Sequence, residues 1–174
     1  MAAAWRLVTS RMLLLICLLF VLPVSCERNE PQTATILINN QPFILELALD
    51  PATREHGLMG RDYIAPDGGM LFVFPDAGFG PRSFWMGNCM VDIDIIFLDA
   101  GRHITAMHHM KAEPPRGKTE SEDDYRQRMP LYSSRLPAQF AIELAGGTLE
   151  KFDPPLQLGQ QIEFDAEPLK QRAK

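Results

Sequence analysis

The stretch RSFWMGNCMVDIDIIFLD, residues 82 to 99, constrains this chain most, because aromatic and β-branched runs alternate there with glycine and asparagine at turn spacing. Ser83 to Met86 and Asp94 to Leu98 read as two strands of one hairpin-sized unit, bounded by Gly87-Asn88 and Ala100-Gly101. Strand side chains alternate between faces, so Asp94, Ile96 and Leu98 share one face and Ile93, Ile95 and Phe97 the other. A carboxylate among apolar neighbours is costly unless a donor or a cation meets it. Arg61, Asn88 and the Trp85 indole are the expected partners, and two readings compete: Asp94 ties a turn together, or it faces a ligand.

The rest of the chain repeats this strand-and-turn grammar. Thr33 to Ile38 and Phe43 to Leu49 are strands joined by Asn39-Asn40-Gln41, with Phe43, Leu45, Leu47 and Leu49 as a core face. Asp50-Pro51 opens a short helix that Gly57 stops. Gly68-Gly69 then feeds an apolar run to Phe74, a strand covered on both faces. Further strands are expected over Arg102 to Met110, Gln139 to Leu144 and Leu156 to Phe164, and Glu167 to Lys174 is expected to fray. At 174 residues, this is one domain with a real core. The fold class is mostly β (α+β), a compact barrel-like antiparallel sheet with one or two short helices.

The first 25 residues stand outside that domain. Arg6 and Arg11 precede an apolar run, Met12 to Leu22, of 11 residues, the pattern of a signal peptide and too short to span a bilayer. Leu22-Pro23-Val24-Ser25-Cys26 resembles a bacterial lipobox, whose cysteine is lipidated and becomes the new N-terminus. Export to the cell envelope with a membrane anchor at Cys26 is therefore expected; a soluble periplasmic or secreted form after cleavage near Ser25, and an uncleaved anchor, are the alternatives. Residues 26 to 32 would be a tether, residues 33 to 165 the domain and residues 166 to 174 a tail. Cleavage before Cys26 removes two arginines and no acids, so the net charge of −5 becomes −7, which argues against a nucleic-acid partner. With Cys26 acylated, Cys89 is a lone thiol without a disulfide framework; a plain Cys26 leaves a bridge between them open.

Several motifs come in a fixed order: GLMGR from Gly57, GGMLFVF from Gly68, FWMGN from Phe84, DIIFLD from Asp94 and AIELAGG from Ala141. Together they resemble the family known as domain of unknown function 192, over residues 33 to 165. The resemblance implies a compact, mostly β, barrel-like domain, often exported, with no agreed activity. It also implies a polar site lined by Arg61, Trp85, Asn88, Asp94 and Glu143. Gly87, Cys89 and Asp92 depart from the family's usual basic residue, threonine and proline, and all three flank that site.

Other features are weaker. Met107-His108-His109-Met110 has copper-type donors, but alternation sends neighbours to opposite faces, so ordinary strand residues are the favoured reading and no metal or other cofactor is expected. Glu120 to Arg128 is either a short helix capped by Thr119 or Ser121 or a solvated loop, and Lys111 to Pro130 is a candidate cover for the site. Serine-hydrolase, nucleotide and nicotinamide motifs are missing, and Cys89 is favoured as a packing residue over a nucleophile. Two functions stay open. One is a monomeric, noncatalytic domain that binds a small molecule or a protein at the five-residue pocket; the other is a hydrolase-type enzyme with Asp94 and Glu143 as base and acid.

Overall fold

The computed structural model describes residues 32–75 and 80–174, so the expected signal peptide, lipobox and tether up to residue 31 lie outside the described residues. The chain forms β1 (Thr33–Ile38), β2 (Gln41–Ala48), α1 (Pro51–His56), β3 (Gly68–Val73), β4 (Pro81–Phe84), β5 (Ile93–Leu98), β6 (Ile104–Met110), α2 (Glu122–Arg128), β7 (Tyr132–Pro137), β8 (Phe140–Ala145) and α3 (Glu167–Arg172). Six strands make one sheet in the order β1-β2-β3-β8-β5-β6, and β4 pairs with β7 in a second, two-stranded sheet. The mostly β expectation holds. The large sheet is open and mixed, because β2 and β3 run parallel while the other pairs are antiparallel.

Local chemistry accounts for the connections. Asn39 and Asn40 both adopt positive φ, 51° and 64°, as the tightest hairpins require, and they close β1 onto β2. The parallel step from β2 to β3 needs a crossover, which α1 supplies. Asp50 caps that helix by accepting from the Thr53 amide at 3.0 Å, Pro51 takes a first-turn position, and Gly57 ends it with φ 52°. Gly69 is needed where β3 meets β8: a Cβ there would lie 2.1 Å from the Glu143 carbonyl oxygen.

The sheet buries both faces. On one, Ile36, Leu45, Leu71, Ile142 and Ile96 pack beneath the C-terminal segment that carries Phe152, Leu156, Ile162 and Leu169. On the other, Met70, Phe72, Ile95, Phe97 and Ala141 pack with Met86 and with Phe84 of the small sheet. Each large side chain removed from water in these layers contributes about 1.5–3 kcal/mol before entropy is counted.

Three expectations need correction. Residues 82 to 99 do not form a hairpin, because β4 pairs with β7, and β5 lies between β6 and β8. β7, YSSRLP, gives little sequence signal: Ser134 is its one buried residue, and its hydroxyl accepts from the Arg82 amide at 2.8 Å. Leu156 to Phe164 is not a regular strand but an irregular cover beside the start of β6, where the Gly159 amide donates to the Ile104 carbonyl at 2.8 Å, the Ile104 amide to the Gln160 carbonyl at 2.9 Å and the Ile162 amide to the Arg102 carbonyl at 3.0 Å. The C-terminal residues form α3 rather than fraying, since Leu169 is buried in the first core and the Lys174 amide donates to the Leu49 carbonyl at 2.8 Å.

Candidate functional site

The site grows from one row of the sheet. Register places Glu46 of β2 beside Met70 of β3, Met70 beside Glu143 of β8, and Glu143 beside Ile95 of β5, so all four side chains share the second face. Glu143 is 5% exposed, and its Oε2 has no hydrogen-bond partner among the described residues. Burial pushes its carboxyl up to about 8, although Arg61 pulls the other way. Arg61 itself is committed to Glu46, with Nη1 and Nη2 donating to the two carboxylate oxygens at 2.5 and 2.7 Å.

Glu143 opens into a cleft of about 740 Å³. Its walls include the α1 end at Gly57, Phe72 of β3, Phe84 of β4, the loop carrying Trp85, Asn88 and Cys89, and Arg126 of α2. Phe72 and Phe84 meet edge to face at 5.0 Å, and Phe84 meets Phe97 in the same way at 5.4 Å. Gly57 keeps its wall thin, because a Cβ there would stand 3.7 Å from Glu143 Oε2 and 3.4 Å from the Phe72 ring.

Main-chain bonds hold the walls together. Asn88, at φ 55°, donates its amide to the Tyr125 hydroxyl at 2.9 Å and accepts from the Gly60 amide at 2.9 Å. Tyr125 is buried on α2 and lies edge to face with Trp85 at 6.0 Å, while the Arg126 guanidinium sits 4.8 Å above the Trp85 ring. The helix alternative for Glu120 to Arg128 is therefore the observed one, capped by Ser121, whose hydroxyl accepts from the Asp124 amide at 3.1 Å. It stands along the cleft wall. Cys89 is buried in the same loop; desolvation, then the nearby Glu143 carboxylate, raises its thiol to about 12. A thiol at that value is no nucleophile at neutral pH.

Of the five expected site residues, Trp85, Asn88 and Glu143 line the cleft, and Arg61 acts on Glu143 from beside it. Asp94 does not belong to the group. It is 1% exposed on the first face, where Oδ1 accepts from His109 Nδ1 at 2.7 Å and Oδ2 from the Leu149 amide at 2.7 Å. Its partners are thus His109 and a backbone amide instead of Arg61, Asn88 or Trp85, and it ties β5 to β6 and to the turn at Leu149–Lys151. The acid/base pair of Asp94 with Glu143 does not form, because adjacent-strand register sends the two carboxyls to opposite faces. His109 Nε2 also stands 3.4 Å from Asp92, while His108 donates to the Ser133 carbonyl at 2.8 Å. Among the described residues no group of three or more His, Cys, Asp or Glu is arranged to hold a metal ion.

Sequence reasoning passed over Arg126, Tyr125, Phe72 and Phe84 as site residues. Tyr125 alone carried a signal, as the single aromatic of a charged helical run.

Fold and cleft together define a mostly β domain whose central sheet carries a buried acid at the base of an aromatic-walled cleft. Residues 34–164 match the model of the family domain of unknown function 192, described as an uncharacterized ACR, and the chain belongs to that family. It is similar to the crystal structure of a candidate transcription regulator from Sinorhizobium meliloti 1021, with 30% identity, a TM-score of 0.56, and coverage of 75% of this chain and 90% of that one. It is also similar to a protein of unknown function from Novosphingobium aromaticivorans DSM 12444, with 25% identity, a TM-score of 0.57, and coverage of 83% and 91%. None of the curated proteins matches the chain.

Proposed function

We propose that this protein is a noncatalytic binding domain, exported and held on a membrane through a lipidated Cys26, which takes a small ligand into the cleft above Glu143. One observation carries the ligand reading: an acid that is almost wholly buried leaves Oε2 unpartnered in the wall of the cleft. Leaving such a group unmet costs about 1–3 kcal/mol, which a ligand donor would recover. The surrounding rings supply contact area at low entropic cost, and the Asn88 side chain stands exposed on the rim. For the anchor, the support is the arginine-flanked apolar run followed by the lipobox-like residues before Cys26. Two or more acyl chains hold a protein on a bilayer stably, at ~0.8 kcal/mol per buried CH₂.

A thermal-shift screen of metabolites and glycans tests the cleft. A binder should raise Tm in the wild type and not in Glu143→Gln, since ligand binding stabilises the native state by RT ln(1 + [L]/Kd). A screen in which every hit survives that substitution sinks the site. Mass spectrometry of membrane-extracted protein tests the anchor, and an unmodified N-terminal Cys26 defeats it.

A further inference from the structure

We infer that the cleft selects a ligand bearing a protonated amine, which docks against Glu143 between the rings of Phe72, Phe84 and Trp85. This deepens the ligand-binding reading and rests on it. Charge counting gives the reason. Glu46 and Glu143 share one nearby guanidinium, Arg61, and both of its terminal nitrogens are engaged by Glu46. With Glu143 ionised, the group is one positive charge short.

Among the described residues, no cation besides Arg61 acts on the Glu143 carboxyl. β3 presents Met70 and Phe72, β5 presents Ile95, and the loop after β4 presents the Cys89 thiol, which stays protonated. The cleft also carries His56, Arg54 and Arg82, but Arg54 donates to the Val73 and Lys174 carbonyls, Arg82 lies 4.2 Å over the Phe74 ring, and the charge that acts on the Glu143 carboxyl is that of Arg61. Arg126 is engaged elsewhere, over Trp85 and 3.1 Å from Glu122. A hydroxyl would meet the oxygen of the neutral acid, whereas an ammonium also pairs with the carboxylate that forms when Glu143 gives up its proton. Aromatic walls favour it further, because ring faces attract a cation in a desolvated pocket.

In the empty cleft near neutrality Glu143 holds its proton, as burial dictates. When the ammonium enters, the carboxyl O–H breaks, an N–H donates to the carboxylate, and one proton passes to the buffer. Affinity should therefore rise roughly tenfold per pH unit and level off above about 8, where Glu143 is already ionised.

The test is a thermal-shift and calorimetric titration of the full chain in detergent with 2-phenylethylamine and its uncharged analogue 2-phenylethanol, at pH 6.5 and 8.5. The inference expects the amine to stabilise the wild type, more strongly at the higher pH, with about one proton released at pH 6.5. It also expects the alcohol to do nothing and Glu143→Gln to abolish the response. Should that variant misfold, ¹³C NMR of the Glu143 carboxyl in the wild type gives the same readout, its titration midpoint dropping when the amine is present. Equal binding of alcohol and amine, both lost in Glu143→Gln, overturns the charge inference and leaves the cleft reading intact. No response to the amine at either pH overturns it as well, and the metabolite screen then judges the cleft on its own.

Discussion

Asp94 and Glu143 sit one register step apart on adjacent strands, Asp94 opposite Leu144 and Ile95 opposite Glu143, yet their carboxyls are separated by the thickness of the sheet. They therefore do different work: Asp94 is satisfied and structural, and Glu143 is buried in the cleft wall with Oε2 unpartnered. Asp94→Asn keeps the shape but weakens the charged bonds from His109 and Leu149. It should lower stability by about 1–3 kcal/mol in urea unfolding, with the ligand response of the folded protein unchanged. Loss of ligand response without loss of stability would place Asp94 back in the site.

The pH dependence of Glu143 has a definite sign. Its folded value, about 8, lies above the ordinary 4.5, so the folded state holds the proton more tightly than the unfolded one. Its contribution is complete below the unfolded value and is lost as pH rises from there through the folded value. Glu143→Gln should flatten the stability profile over that window. At pH 8 the variant should be more stable than the wild type by on the order of a few kcal/mol in chemical unfolding.

His109 works the other flank of the sheet with the same sign. Its hydrogen bond to Asp94, then the field of Asp94 and of Asp92, raises its imidazole above the usual histidine range despite some desolvation. The imidazolium bridge therefore stabilises fully below about pH 6.5 and fades as pH climbs through the raised value. In unfolding curves across pH 5.5 to 9, the gap between wild type and His109→Gln should be widest at the acid end. A gap that widens toward alkaline pH contradicts the bridge.

Cys89 should be inert while the domain is folded. Its thiol is buried, and at about 12 it carries almost no thiolate at pH 7.5. Peptide mapping after iodoacetamide should find Cys89 unlabelled in buffer and fully labelled in denaturant. Rapid labelling of the native protein would mean that the loop opens on its own.

Elements defined by local chemistry were legible in the sequence. The Asn39-Asn40 turn, the Asp50-Pro51 start of α1, the covered strand after Gly69 and the Ser121 cap follow from backbone preferences that act over a few residues. What escaped depends on partners distant in the chain. β7 pairs with β4 from a distant part of the chain, Ser83 with Ser133 and Phe84 with Tyr132, and the cover at Leu156 to Phe164 has strand-like residues but meets β6 through a few backbone bonds around Ile104 and not a full ladder. The site divided in the same way. The motifs pointed to Trp85, Asn88 and Glu143, while the displacement of Asp94 came from register, which no single segment encodes.

Asn88 has a mechanical consequence. Its peptide is clamped between the Tyr125 hydroxyl on one side and the Gly60 amide on the other, so the α2 wall and the α1-side wall share a single pivot. Any load that tilts α2 is transmitted through two hydrogen bonds to the GLMGR loop and to Arg61 within it. An occupant resting on the tryptophan side of the cleft would therefore stiffen the opposite side, where the guanidinium tunes the acid below.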